Sequence, residues 1–284
     1  MSDAKIPDGE LPQLAIVRLL AEEAERQLAR EDDFGHGLAV SLSQDAAELL
    51  VRVFVRVKNL TIKEKRPTLE QMMDAIDTAA GSGEGVPHRQ RVDDLNKARA
   101  AFKHTGLCPS RADAERLVRY GVEFLEVAIP RFFGIPSRRV FLAYGVRSEQ
   151  VRAALVKAEE ALLADQHAEA MVEAADAVSL ADAPLRALLP ALPRVPAMRE
   201  LGGPQMQVLT DYAAGLRLVA LAGLVGFDIR DLLRFRKLVP RVSHSVAGQR
   251  QVIDQRLGQY AQEEAEFAVR FATQFALAVQ RKLG

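Results

Sequence analysis

Apolar residues recur along nearly the whole chain at spacings of three and four, the period of a helix with one buried face. Strict alternation occurs only at Val51-Arg52-Val53-Phe54-Val55-Arg56-Val57. That run follows Ser43-Gln44-Asp45-Ala46-Ala47-Glu48-Leu49-Leu50, which reads as a capped helix start, so a helix continuing through Lys58 is the simpler account. The pattern predicts helices over 11–31, 44–58, 68–80, 88–105, 111–129, 148–164, 167–181, 206–226, 229–238 and 247–282. The expected fold class is all-α.

Turn residues mark the ends of several of these helices. Ser110-Arg111-Ala112-Asp113 is a capping signature, Gly106 stands where a helix C-terminus closes, and Pro109 separates 88–105 from 111–129. Pro130, Gly134 and Pro136 close that pair and suggest a boundary near 145, giving a bundle over 1–145 and a second helical module over 146–284. Within the second module, 148–181 looks like a single tetratricopeptide-type hairpin with Ala at the contact positions; repeat stacks need about three or more such units. Five of the 13 prolines fall between 183 and 205 and predict an extended connection before the C-terminal helices of 206–284. In the last of these, Ile253, Leu257, Tyr260, Phe267, Phe271, Phe275 and Ala278 form a near-heptad stripe, expected to be core.

Composition supports this picture. Aromatic residues make up 6% of the 284 and Trp is absent, while Ala, Leu, Glu, Arg and Gln dominate, a helix-forming vocabulary. Charge cancels overall, 38 Lys and Arg against 38 Asp and Glu, which excludes a strongly basic nucleic-acid tail. Locally it does not cancel. Residues 87–119 carry an excess of +4 and residues 157–182 an excess of −6, a basic face for a polyanion or an acidic face for a protein partner if they are more than solvated helix surfaces. One cysteine, Cys108, excludes an internal disulfide framework and a cysteine-based zinc cage. The opening MSDAKIPDGELPQ does not read as a secretory signal, and the most apolar stretch, Leu218 to Phe227, is far short of the roughly 20 residues of a membrane span. A cytoplasmic protein with no membrane segment is the expectation.

Candidate chemistry centres on Leu95-Asn96-Lys97-Ala98-Arg99-Ala100-Ala101-Phe102-Lys103-His104-Thr105-Gly106. Val92, Leu95 and Phe102 define the apolar arc of an ideal helix, and Arg99 falls inside it. An inward arginine needs an anion: an acid of the same chain such as Asp45 or Glu48, or a charge met at a subunit interface. His104 lies roughly 140° around the helix from Arg99. One chain brings the two together only if the helix ends there, whereas a two-fold dimer packing this helix on its copy presents each residue twice around one cleft.

The stretch Arg99-Ala100-Ala101-Phe102-Lys103-His104 resembles the R-x4-H signature of HEPN domains, small helical bundles of bacterial defence and toxin–antitoxin systems. The similarity covers about residues 10–145, and its specific part is 95–110. It implies a metal-independent endoribonuclease acting at a homodimer interface, in which a ribose 2′-OH attacks the adjacent phosphate. His104 would serve as general acid or base and Arg99 would neutralise the phosphorane, with Asn96, Lys103, Lys97 and Arg91 holding the RNA. Catalytic members often carry Asn, Asp or His after the motif arginine; Ala100 stands there in this chain, and Asn96 offers a polar group from the preceding turn. The alternative is a non-catalytic helical scaffold that binds RNA or a protein partner, the latter through 146–284, with Lys103 and His104 simply complementing a helix C-terminus.

Other candidates carry less. Asp32, Asp33 and His36 in EDDFGHG read as an exposed loop sooner than as metal ligands, and Cys108 has His104 four residues before it but no orienting third group. Gly81-Ser82-Gly83-Glu84-Gly85 lacks the Lys and Ser or Thr of a phosphate loop, and Arg241-Val242-Ser243-His244 pairs a second Arg and His in a turn after Pro240. No metal or cofactor is implied.

Overall fold

The computed structural model describes residues 9–188, 215–244, 250–254 and 260–283, which are helical apart from turns and one two-stranded hairpin. The fold is all-α, and no described helix is long and apolar enough to cross a membrane. The chain divides into two compact units, Met1–Gly145 and Val146–Gly284.

In the first unit, α1 (Leu11–Leu28) lies along α2 (Asp33–Val57), and α2 also packs against α3 (Leu69–Ala80), α4 (Arg89–Thr105) and α5 (Arg111–Phe133). The central helix starts eleven residues before the expected 44. Asp32 caps it, accepting the Gly35 amide at 2.6 Å, so the segment expected as an exposed loop is the first turn of α2. The valine run over 51–57 is helix, with Val51, Val53 and Phe54 buried and Arg52 and Arg56 at the surface.

Caps fix the other helix starts and stops. Thr68 and Gln71 form a reciprocal capping box on α3, and the Ser110 hydroxyl accepts the Asp113 amide at the head of α5. Helix α5 runs through Pro130 to Phe133, beyond the expected end at 129. Proline removes one amide donor, a loss that a last turn closed by Gly134 tolerates, and the extra residues Phe132 and Phe133 reach the core. There Phe54 stacks on Phe132 at 4.1 Å between centroids and meets Phe133 edge-on, beside Leu14, Leu50, Met72, Met73 and Phe124. Each such side chain contributes roughly 1.5–3 kcal/mol by leaving water.

In the second unit, α6 (Glu149–Leu163) and α7 (His167–Leu188) form a hairpin, with Ala154, Ala158, Ala170, Ala174 and Ala177 buried. Pro184 lies within α7, not in the connection expected from 183, and 189–205 lie outside the described residues. A helical stretch at 215–225 (α8) precedes α9 (Ile229–Leu238) and α10 (Gln262–Leu283), which packs on α6, α7 and α9. Phe267, Phe271, Phe275 and Ala278 of α10 are buried, and Phe271 stacks on Phe235 of α9 at 4.6 Å.

The single helix expected over 247–282 does not form. Strands β1 (Arg241–His244) and β2 (Arg250–Asp254) pair antiparallel, with Val242 opposite Val252 and His244 opposite Arg250. Pro240 ends α9, and β-branched Val242, Val252 and Ile253 favour extended backbone once a partner strand is present. Of the proposed stripe, Ile253 is therefore in a strand, Leu257 lies outside the described residues and Tyr260 precedes α10.

Candidate functional site

Helix α4 begins after His88, whose φ of +51° is left-handed, and closes at Gly106, where φ is +72°. Val92 and Leu95 are fully inside, and Phe102, a turn before the end, packs over Gly37 of α2. A Cβ at Gly37 would clash with Cε2, Cδ2 and Cζ of the Phe102 ring, so a glycine is what lets the two helices approach here. Phe34, itself 61% exposed, meets Phe102 edge-to-face at 6.1 Å.

Between Leu95 and Phe102, α4 presents Asn96 and Arg99 to a polar face of α2. Gln44 is fully buried and its amide donates to Asn96 Oδ1 at 3.3 Å and to Glu48 Oε2 at 3.0 Å. The Arg99 guanidinium donates to Asp45 Oδ1 at 3.3 Å, and its Nε is buried without an acceptor. Arg52 donates to Glu48 at 2.8 Å. Burial pushes the Glu48 carboxyl up, but the hydrogen bonds from Gln44 and Arg52 and the charges of Arg52 and Arg99 outweigh it. Its pKa stands below the ordinary 4.5. Ser41, one turn from both Gly37 and Asp45, is buried with its hydroxyl unpartnered.

The proposed RNA-site residues do not gather around one point in a single chain. Lys103 and His104 are exposed in the last turn of α4, where cations complement the helix dipole, while Arg99 is directed into the α2 seam. Asn96 is the partner of Gln44. Arg91 pairs with Glu123 and lies over the Tyr120 ring at 5.1 Å, and Lys97, largely exposed, sits 3.9 Å from Asp94. Arg89 pairs with Asp74 and Asp77, Arg111 with Glu115, Arg116 with Asp113 and Arg119 with Glu123. Of the eight cations between Pro87 and Arg119, Lys103 alone has no ion pair among the described residues, so the local excess of positive charge is largely met by carboxylates folded against it.

Of the candidate ligands in EDDFGHG, Asp33 is exposed, Asp32 is engaged as a cap and His36 is enclosed. Asp32 is held below the ordinary carboxylate range by the Gly35 amide and Arg30. His36 is buried, 5% exposed, with neither ring nitrogen hydrogen-bonded. Among the described residues no three His, Cys, Asp or Glu side chains come together as a metal site. The Gly81–Gly85 loop folds back on Asp77, which accepts the Val86 amide at 2.6 Å. Ser41 and Gln44 of this polar face are what the sequence reading missed, while Asp45 and Glu48 stood among its candidate acids for Arg99. Their signal was present as polar residues at helical spacing, but Ser41 lies before the expected helix start at 44 and joins this face because α2 begins at Asp33. No protein-family profile, no curated protein and no solved structure matches the chain.

Proposed function

We propose that the first unit is a non-catalytic helical scaffold that docks a protein partner at the end of the bundle where α4 finishes. The observation that carries this reading is the Arg99–Asp45 pair: the arginine that would neutralise a phosphorane is engaged within its own chain, and His104 points elsewhere. The pairing of the neighbouring cations argues in the same direction, since phosphate binding draws its strength from unpaired Lys and Arg. Exposed Phe34 and Leu107, 61% and 68% accessible, stand at this end and suit a protein surface better than a polyanion.

The second reading is the metal-independent endoribonuclease of HEPN type, assembled from two copies in a bacterial defence or toxin–antitoxin setting and acting in the cytoplasm. Lys103 and His104, exposed at a glycine-terminated helix end, and the unpartnered Arg99 Nε favour it. Incubating the purified protein with cellular RNA in EDTA, beside folded Arg99→Ala and His104→Ala variants, separates the two. The scaffold reading expects intact RNA in all three. Cleavage by the parent chain that both substitutions abolish overturns it in favour of the nuclease.

A further inference from the structure

Two acids of α7 have no role in either reading. Glu173 and Asp176, one turn apart, are 5% and 6% exposed. Their partners come from the β-hairpin: Arg250 donates to Glu173 Oε1 at 2.6 Å and to Asp176 Oδ2 at 3.3 Å, and His244 Nε2 lies 2.9 Å from Asp176 Oδ1. His244 and Arg250 are direct cross-strand neighbours, so one rung of the ladder supplies both groups.

Among the described strap residues, Val242, Ser243 and His244 are half-buried. Arg241, Arg250, Gln251 and Val252 are exposed, and a lone two-stranded hairpin is marginal in water unless it packs on something. Below its root lies a cavity of about 640 Å³, walled by Val178 of α7, Leu221 of α8, Leu232 and Phe235 of α9, Pro240 and Val242. Burial works against the Arg250 charge, yet the Glu173 and Asp176 carboxylates more than compensate and hold its pKa above the ordinary arginine value. A pair whose carboxylates are buried adds little net stability over an apolar contact, but losing the arginine strands their charge, so it acts as an on–off attachment.

We propose that the β1–β2 hairpin is a strap, latched to α7 by its ion pairs with Glu173 and Asp176, whose release uncovers the apolar cavity of the second unit while the helices stay folded. The attachment is charge on charge at one rung and the strap's root borders the cavity, so opening requires breaking three contacts, two of Arg250 and one of His244, and lifting half-buried Val242 from the cavity wall.

Amide hydrogen exchange on the full chain tests this, comparing the parent with Glu173→Gln/Asp176→Asn. The strap amides of 241–244 and 250–252 are expected to exchange at least about tenfold faster while α6, α7 and α10 keep their rates. An apolar fluorescent dye is expected to bind at least about twofold more strongly. Unchanged strap rates, unchanged dye binding, or acceleration shared equally by the helices overturns the proposal. If the carboxamide variant does not fold, His244→Gln/Arg250→Gln reads the same amides from the strap side, with the same criteria. The swap Glu173→Arg/Arg250→Glu is expected to exchange more slowly than either single reversal, and no slowing counts against a direct latch. Arg230→Gln, which breaks the exposed pair with Asp228, should leave the strap rates alone.

Discussion

Arg99 and His104 are five residues apart on one helix and live in different environments, and that difference is measurable. Removing the carboxylate in Asp45→Ala leaves a half-buried guanidinium with no acceptor, and a loss of roughly 1 kcal/mol in urea unfolding is expected, limited by the solvent that still reaches the pair. His104→Ala, at an exposed position, should stay within about 0.5 kcal/mol of the parent. His36 is the opposite case: a buried imidazole with no hydrogen bond costs free energy, so His36→Leu is expected to raise the unfolding free energy in urea by roughly 1 kcal/mol. Glu48 links the seam to pH. A carboxyl held below 4.5 in the folded chain binds its proton more readily when unfolded, so its stabilisation is complete above about pH 4.5 and disappears as pH falls through the lowered folded value. The stability gap between the parent and Glu48→Gln should therefore shrink on acidification, and a gap that does not change with pH would rule the linkage out. The inward position of Arg99, and Asp45 among its possible acids, was legible from helical phase alone. The Gln44–Asn96 bond was not, because it joins residues 52 apart.

Elements show where local pattern ends. Twenty-five residues of α2 are one helix because Asp32 caps it, and Gly35 and Gly37, which look like loop residues in isolation, are tolerated because tertiary contacts need them small. Gly37→Ala gains helix propensity of about 0.5–1 kcal/mol but drives a methyl into the Phe102 ring. The methyl would meet three atoms of the half-buried Phe102 ring, which must move out of the α2–α4 contact, and a net loss of about 1–3 kcal/mol is expected in the same urea assay. The strand pair at 241–254 is the opposite lesson. Residues 250–254 carry both helical spacing and β-branched side chains, and only the presence of 241–244 alongside resolves the choice. Pro130 and Pro184 remained inside helices where local rules place boundaries, and Pro130 stands near enough to the end of α5 that one missing bond is tolerated.

At the scale of the molecule, each of the two units has its own buried core, so residues 1–145 produced alone are expected to unfold in one cooperative transition followed by helical circular dichroism; a gradual, non-cooperative loss would show that the unit needs the rest of the chain. Net neutrality at this scale hides a bundle whose cations and carboxylates pair across helices. The all-α class, most helix positions, several caps and the inward arginine were determined by sequence alone, because helix hydrogen bonds, amphipathic phase and capping act within a few residues. Which acid meets Arg99, that α2 starts at Asp33 and that β1 and β2 pair were decided only by tertiary structure. These rest on contacts between residues far apart in the chain, whose free energy depends on burial and partners that no local window contains.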